Sequence, residues 1–237
     1  FKLSLILAIV ITSPVLIFQI WGFISPALTT EEKRAVRPAL LGGIGFPVWN
    51  EFIGYKKGQK FSVYTKFELI LTLIYVVGGA MIVAVLEWNN PETIGEMGFG
   101  EKILNSFFQS VTWRTAGFTA VDNAALNEGT KLAGLFVMFS GGASASTAGG
   151  VKIATIGIIM LAAYTVAVGR NDINFMRRRI PMDAVMRALS LVVIQLILTV
   201  VAALICTAVC SNMDISGIDL LYEVVSAGAT VGLTAGL

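Results

Sequence analysis

The chain has 237 residues, of which 56% are hydrophobic and 14% are charged, and its mean hydropathy is +0.80. Soluble domains usually carry about 25% charged residues, so this composition excludes an ordinary soluble protein and indicates a membrane protein. Histidine is absent and no nucleophile–base pair or metal cluster is visible, so we expect no enzyme, no cofactor and no resident metal. The net charge of +2 gives no reason to expect a nucleic-acid partner.

Apolar segments alternate with charged loops in the N-terminal part of the chain. Residues 3–23 are long and apolar enough to span a bilayer, although a proline interrupts them. Residues 39–55 are apolar but too short to span, whereas residues 67–86 form a clear predicted spanning helix. The loop before this helix, 56–66, is basic, and the loop after it, 87–101, is acidic.

A short helix followed by a glycine-containing turn occurs twice in the rest of the chain. The first helix, 103–111, is too short to cross a bilayer and leads into Thr115-Ala116-Gly117-Phe118. In the second unit, the apolar helix 218–225 leads into Thr230-Val231-Gly232-Leu233. Two copies of this unusual helix–turn unit indicate a repeated pore architecture.

Two further apolar segments lie between these units. Residues 132–168 form a long apolar run with a glycine- and serine-rich break at 140–152, and residues 188–209 form another predicted spanning helix. The segment between them, 170–187, is strongly basic. Small residues at the break predict either tight helix contacts or a flexible interruption beside a pore.

The repeated turns predict an ion-selectivity filter. Glycine tolerates the dihedral angles that turn backbone carbonyls into a pore, where carbonyl oxygens can replace the water shell of a cation. The C-terminal ends of the two short helices carry partial negative charge, which favours a cation over an anion. The predicted ion ligands are the backbone oxygens of Thr115, Ala116, Gly117 and Phe118 in the first turn and of Thr230, Val231, Gly232 and Leu233 in the second.

The distribution of charge predicts that both turns open to the outer side of the membrane. The basic loops around Lys56 and Arg177 should be cytoplasmic and the acidic loops external. Asp122 is then either an outer helix cap or a carboxylate that attracts cations to the pore mouth. Lys152, at about membrane depth, either reaches to the interface, pairs with a carboxylate or forms a positive barrier. Four tryptophans are interpreted for the most part as interfacial anchors: Trp21, Trp49, Trp88 and Trp113.

Five motifs in order resemble the Trk/Ktr/HKT superfamily of potassium and sodium transporters, and most closely its KtrB branch. They are LGGIGFPVWNEF at 41–52, GEKILNSFFQSVTWRTAGFTAVDNAAL at 100–126, MFSGGASASTAGGVKIAT at 138–155, RRRIPMDAVMRALS at 177–190 and SAGATVGLTAGL at 226–237. The resemblance implies an all-α membrane fold of spanning helices, re-entrant pore helices and glycine filter loops. It also implies K⁺ transport, with Na⁺ as the alternative, a homo-oligomer, and a cytosolic nucleotide-binding regulatory subunit as partner.

The same resemblance implies an incomplete transporter. In that family four repeats, each with a filter, close one pore. This chain matches the end of the first repeat at 41–64, the second repeat at 65–168 and the third through its filter at 169–237. We therefore expect about four spanning helices and two re-entrant helices, but no complete conduction path from this chain alone.

The first forty residues resemble a different family, the twin-arginine translocase subunit TatC. Residues 1–40 match its second membrane helix and the following cytoplasmic loop, and Glu32 matches a loop glutamate implicated in signal-peptide binding. A solvated charged turn is the alternative for Glu32. We interpret the chain as a chimera in a bacterial inner membrane with a cation-transport function. The alternatives are a TatC-like protein-translocation module and a chimeric membrane chain without function.

Overall fold

The computed structural model describes residues 43–54, 60–170, 172–176, 178–210 and 215–236, all of which belong to one compact unit. The elements, in chain order, are α1 (Phe46–Ile53), α2 (Val63–Glu87), α3 (Phe99–Thr112), α4 (Glu128–Ser140), α5 (Ile153–Ala167), β1 (Asn174–Phe175), β2 (Arg178–Arg179), α6 (Met182–Val209) and α7 (Gly217–Gly228). The protein is therefore mostly helical in this part, as the sequence predicts.

Two of these helices are long and apolar enough to cross a membrane. They are α2, with 25 residues, and α6, with 28. Only 28% of the most apolar window of α2 and 6% of that of α6 is buried, which suits helices that face lipid better than the core of a soluble domain. The predicted spans at 67–86 and 188–209 are confirmed as helices. The helix α6 begins earlier than predicted, directly after Pro181, whose fixed φ suits the start of a helix.

The long apolar run predicted at 132–168 is divided into two helices, α4 and α5, of 13 and 15 residues. The chain leaves the first at Gly141, with a φ of 65°, and enters the second after Lys152, with a φ of 82°. Neither helix reaches the roughly 20 residues that a span requires. Two of the four expected spanning helices are therefore present as single long helices, and a third, 3–23, lies outside the described residues.

A small hairpin adds two short strands to the predicted all-α fold. Asn174 pairs with Arg179 and Phe175 with Arg178 in antiparallel register. The ring centroid of Phe175 lies 4.7 Å from that of Phe67, so the hairpin is held against the beginning of α2.

The helix α2 packs against α3, α4 and α5, while α4 and α6 both pack against α7. The helix α2 lies very near α3 at Gly79, where an added Cβ atom would lie 2.3 Å from Ser110 Oγ. That hydroxyl donates a hydrogen bond of 2.8 Å to the carbonyl of Val76, so the two helices share a polar contact as well as a tight fit.

The largest buried cluster joins α2, α4 and α7 around Trp113. Because Trp113 is completely buried, its interpretation as an interfacial anchor is wrong. The indole fits beside α4 only because residue 134 is glycine: an added Cβ atom there would lie 2.8 Å from Trp113 Cε2.

Candidate functional site

The first glycine turn, which we call loop A (113–121), follows α3 directly. Ala116 N donates to Thr112 O at 3.2 Å, so the chain turns tightly as it leaves the helix. Thr115 has a φ of 64° and Gly117 a φ of 73°, whereas Ala116 between them does not have a positive φ. The Thr112 hydroxyl donates a hydrogen bond of 2.5 Å to the carbonyl of Phe118, which ties the far side of the loop back to the helix.

The second turn, loop B (229–236), repeats this geometry after α7. Thr230 has a φ of 55° and Gly232 a φ of 83°, again with no positive φ at the residue between them. Ser226 Oγ donates to Leu233 O at 2.6 Å and accepts from Leu233 N at 3.0 Å. Threonine rarely adopts a positive φ. Because both loops have a threonine with a positive φ at the same place, they share one backbone conformation, which the presence of glycine alone would not explain.

The two loops meet in space. An added Cβ atom on Gly117 would lie 2.6 Å from the carbonyl oxygen of Val231, so loop A can approach loop B this closely only with glycine at that position. An added Cβ atom on Gly232 would have no neighbour within 4 Å among the residues that the structure describes. The structure thus brings both groups of predicted site residues together.

Two of the eight predicted carbonyl ligands already have protein partners. The Phe118 oxygen accepts from Thr112 and the Leu233 oxygen accepts from Ser226, so α3 and α7 use them to hold the loops. Thr115 Oγ1, in contrast, is buried and has no hydrogen-bond partner in the part of the chain that the structure describes.

A buried polar network connects the two helix–loop units. Trp113 Nε1 donates to the Tyr222 hydroxyl at 3.1 Å, and that hydroxyl donates to Asn123 Oδ1 at 3.2 Å. Gln109 Nε2 donates to the same oxygen at 2.6 Å. All four side chains are at most 1% exposed. Sequence reasoning missed this network, since its only local sign is a set of large polar side chains in an apolar chain.

The glycine-rich linker (141–152) lies beside loop B. An added Cβ atom on Gly149 would come within 2.2 Å of Ala229 O and 2.3 Å of Thr230 Oγ1, so the linker and loop B are in direct contact. The small residues of the linker therefore make tight contacts, as the first alternative predicts, whereas a flexible interruption beside a pore stays a prediction.

The remaining predicted site residues have separate positions. The exposed Asp122 accepts a hydrogen bond of 3.0 Å from Ala124 N through Oδ1. This is a turn within the loop and not a helix cap, because the next helix begins at Glu128 and its N-cap is Asn127. Lys152 Nζ, on the half-buried side chain that ends the linker, donates to Ala148 O. Glu32 lies outside the described residues.

These duplicated helix–loop units, carried by long apolar helices, define a helical membrane protein with a repeated loop site. The family model for TrkH, described as a cation transport protein, matches residues 36–237, and the chain belongs to this family. The match begins slightly before residue 41, where the sequence motifs place its start.

Two relatives of this chain support its predicted resemblance to KtrB. The potassium/sodium uptake protein NtpJ of Enterococcus hirae is 36% identical over 199 residues, which cover 84% of this chain and 44% of the relative. The Ktr system potassium uptake protein B of Bacillus subtilis is 34% identical over 198 residues, with the same two shares. The predicted resemblance is confirmed, and the chain spans less than half the length of these curated relatives.

The N-terminal part carries a second likeness. The family model for the Sec-independent protein translocase protein TatC matches residues 1–57. TatC of Aquifex aeolicus is 35% identical over 83 residues, which cover 35% of this chain and 31% of the relative. The predicted TatC likeness is confirmed, but it does not stop near residue 40: the two family matches overlap at 36–57.

Proposed function

We propose that this chain contributes part of a transmembrane pathway for a monovalent cation, K⁺ first and Na⁺ as the alternative, and that loops A and B hold the ion through backbone oxygens. One observation carries the proposal: both loops have a positive φ at their threonine and glycine but not at the residue between them. An extended strand points successive carbonyls to opposite sides, whereas residues of alternating handedness point them to the same side. Oxygens on one side of the chain can replace the hydration shell of a cation.

The contacts of the loops suggest a division of roles among their residues. Phe118 and Leu233 act as anchors, because their carbonyls are bound by hydroxyl groups of α3 and α7. The carbonyls that face the ion are then those of Thr115, Ala116 and Gly117 in loop A and of Thr230, Val231 and Gly232 in loop B.

The helices that precede the loops add to the preference for cations. Both α3 and α7 end at the loops, so the partial negative charge of each C-terminus is directed at the proposed site. We propose that these two helices are re-entrant and enter the membrane from the outer side, with Asp122 near the entrance, where its charge raises the local cation concentration.

Potassium uptake in a bacterial cell that lacks its own potassium transporters tests the proposal. Uptake by the chain should be lost in Gly117→Ser, because a side chain there meets the Val231 carbonyl. The control is Gly78→Ser, since Gly78 lies outside the loops and no described residue comes within 4 Å of an added Cβ atom there. Uptake that is equal in both variants would contradict the proposal.

We further propose a multi-pass location in the bacterial inner membrane, a homo-oligomer, and a cytosolic nucleotide-binding regulatory subunit as partner. The exposed hairpin arginines Arg178 and Arg179 are the candidate contacts for this subunit. Co-purification of such a subunit should fail after both are replaced by glutamate.

The second candidate function is a TatC-like part in protein translocation, and the TatC match at 1–57 favours it. Cross-linking of a twin-arginine signal peptide near Glu32 would support it, with loss of the cross-link in Glu32→Gln as the control. If neither uptake nor cross-linking is found, a chimeric membrane chain without function remains as the third candidate.

A further inference from the structure

A buried charge cluster outside the loops connects α2, loop A and the linker. Glu68, on α2, is fully buried, and its Oε1 accepts a hydrogen bond of 3.0 Å from Ser144 N of the linker. Its Oε2 has no hydrogen-bond partner within the described ranges. Two cations share these surroundings, although neither forms an ion pair with Glu68 among the described residues: Arg114, which is 4% exposed and meets the linker next to Ser144, and the half-buried Lys152 at the end of the linker.

Arg114 connects the cluster to loop A, to which it belongs. Its Nη2 donates to Gly43 O at 3.3 Å and to Thr72 Oγ1 at 3.4 Å. The same Gly43 oxygen accepts a hydrogen bond of 2.9 Å from Ala143 N. A single carbonyl is therefore shared by the arginine of loop A and the backbone of the linker.

The linker is fixed at several further points near Glu68. The Tyr64 hydroxyl, one turn before Glu68, donates to Ser144 O at 3.2 Å. Phe46 N donates to Ala145 O at 3.0 Å. Because Gly149 at the other end of the linker touches loop B, a movement of the linker would be transmitted to Thr230.

We propose that Glu68 is a positioning residue whose negative charge balances the positive charges of Arg114 and Lys152. Through this balance Glu68 holds the linker against loop B, and it also keeps the first residues of loop A in place. In a site with little water, two cations without an intervening anion repel each other and each loses solvation. Glu68 supplies the anion. On the proposed transport function, the spacing of the two loops, and with it the discrimination between K⁺ and Na⁺, depends on Glu68.

The first test measures position without requiring transport. Glu68→Gln keeps the size of the side chain and an oxygen for Ser144 N but removes the charge. Hydrogen exchange of the amides at 141–152, measured on the full chain in lipid nanodiscs, should become about tenfold faster. Unchanged exchange would overturn the proposal.

A matched control exists on the same helix. Glu87 is the other fully buried carboxylate of α2, and its hydrogen bonds within the described segments all come from neutral groups: Asn90 Nδ2, Thr93 Oγ1, Thr130 Oγ1 and Asn127 N. Glu87→Gln also removes a buried charge, but it should leave exchange at 141–152 unchanged. Equal acceleration in both variants would show a general loss of stability and overturn the proposal.

A second-site change separates charge balance from simple packing. Lys152→Met removes one of the two cations, so the double variant Glu68→Gln/Lys152→Met should recover most of the lost protection. If Glu68→Gln alone does not fold, recovery of folding in the double variant is the same result. No recovery in either measurement would overturn the electrostatic role of Glu68.

The last test concerns selectivity. If the parent chain takes up K⁺, Glu68→Gln should change the ratio of K⁺ to Na⁺ uptake by about tenfold at equal amounts of folded protein, and Glu87→Gln should not. An unchanged ratio would overturn the link from Glu68 to selectivity. If the parent chain alone takes up no ion, the exchange results still decide whether Glu68 positions the linker.

Discussion

The indole Nε1 of Trp113 donates a hydrogen bond of 3.1 Å to the hydroxyl of Tyr222, and both side chains are fully buried. Trp113 follows the last residue of α3, where loop A begins, and Tyr222 lies within α7, which precedes loop B. The two helix–loop units are thus positioned relative to each other by a direct contact between side chains 109 residues apart. Because a buried polar group is costly when unpaired, this bond resists any separation of the units.

The contact between Trp113 and Tyr222 should be measurable as a coupling energy. Tyr222→Phe leaves the buried indole N–H of Trp113 without its partner, and Trp113→Phe removes this donor together with part of a buried ring. Each should therefore lower the free energy of unfolding by about 1–3 kcal/mol. The double variant should lower the free energy of unfolding by less than the two single variants do together. The difference, which is the coupling energy, should be about 0.5–3 kcal/mol. Unfolding in detergent micelles measures these differences, and Tyr164→Phe, at a tyrosine 63% exposed, should change nothing. Strict additivity would contradict the prediction.

Two adjacent glycines of α2 should respond in opposite directions to alanine. At Gly78 an added Cβ atom meets nothing within 4 Å, so Gly78→Ala should stabilise the helix by about 0.5–1 kcal/mol. At Gly79 the same atom would lie 2.3 Å from Ser110 Oγ, so Gly79→Ala should destabilise the protein by about 1–3 kcal/mol. Thermal unfolding of the two variants side by side is the measurement. Equal shifts would show that α2 and α3 do not pack as described.

The glycines of loops A and B offer a second matched comparison. Gly117→Ala and Gly232→Ala both place a side chain at a positive φ, which costs about 1–2 kcal/mol. Only Gly117→Ala also forces contact with the Val231 carbonyl, so it should be the more destabilising. Comparison of the two unfolding midpoints tests this order, and the reverse order would place the loops differently from the structure.

The ion pair between Lys131 and Asp219 should stabilise the start of α4 against the start of α7. Its Nζ–Oδ1 distance is 2.6 Å, and the side chains are only 7% and 23% exposed. Lys131→Met should therefore lower the free energy of unfolding by about 1–3 kcal/mol. The exposed pair of Arg179 with Asp172, at 3.0 Å, is the control: Arg179→Met should cost less than about 0.5 kcal/mol. Similar costs for both variants would rule out a special role for the buried pair.

Short stretches of the sequence determine several features of this protein. The lengths of apolar runs predict the long helices α2 and α6, because a bilayer sets the length that an apolar helix must have. The Thr-x-Gly turns after two short helices predict loops A and B, because glycine and its position after a helix are local signals. The ordered motifs also reveal both family likenesses.

The tertiary structure decides which of these local features touch. Trp113 looks like an interfacial anchor in the sequence but is buried against α4 and Tyr222. Phe118 appears as an ion ligand in the sequence, yet its carbonyl is bound by Thr112. The burial of Glu68 beside Ser144 depends on residues 76 positions apart. Composition and periodicity act over a few helical turns, whereas such contacts arise only when distant segments pack, so no local pattern records them.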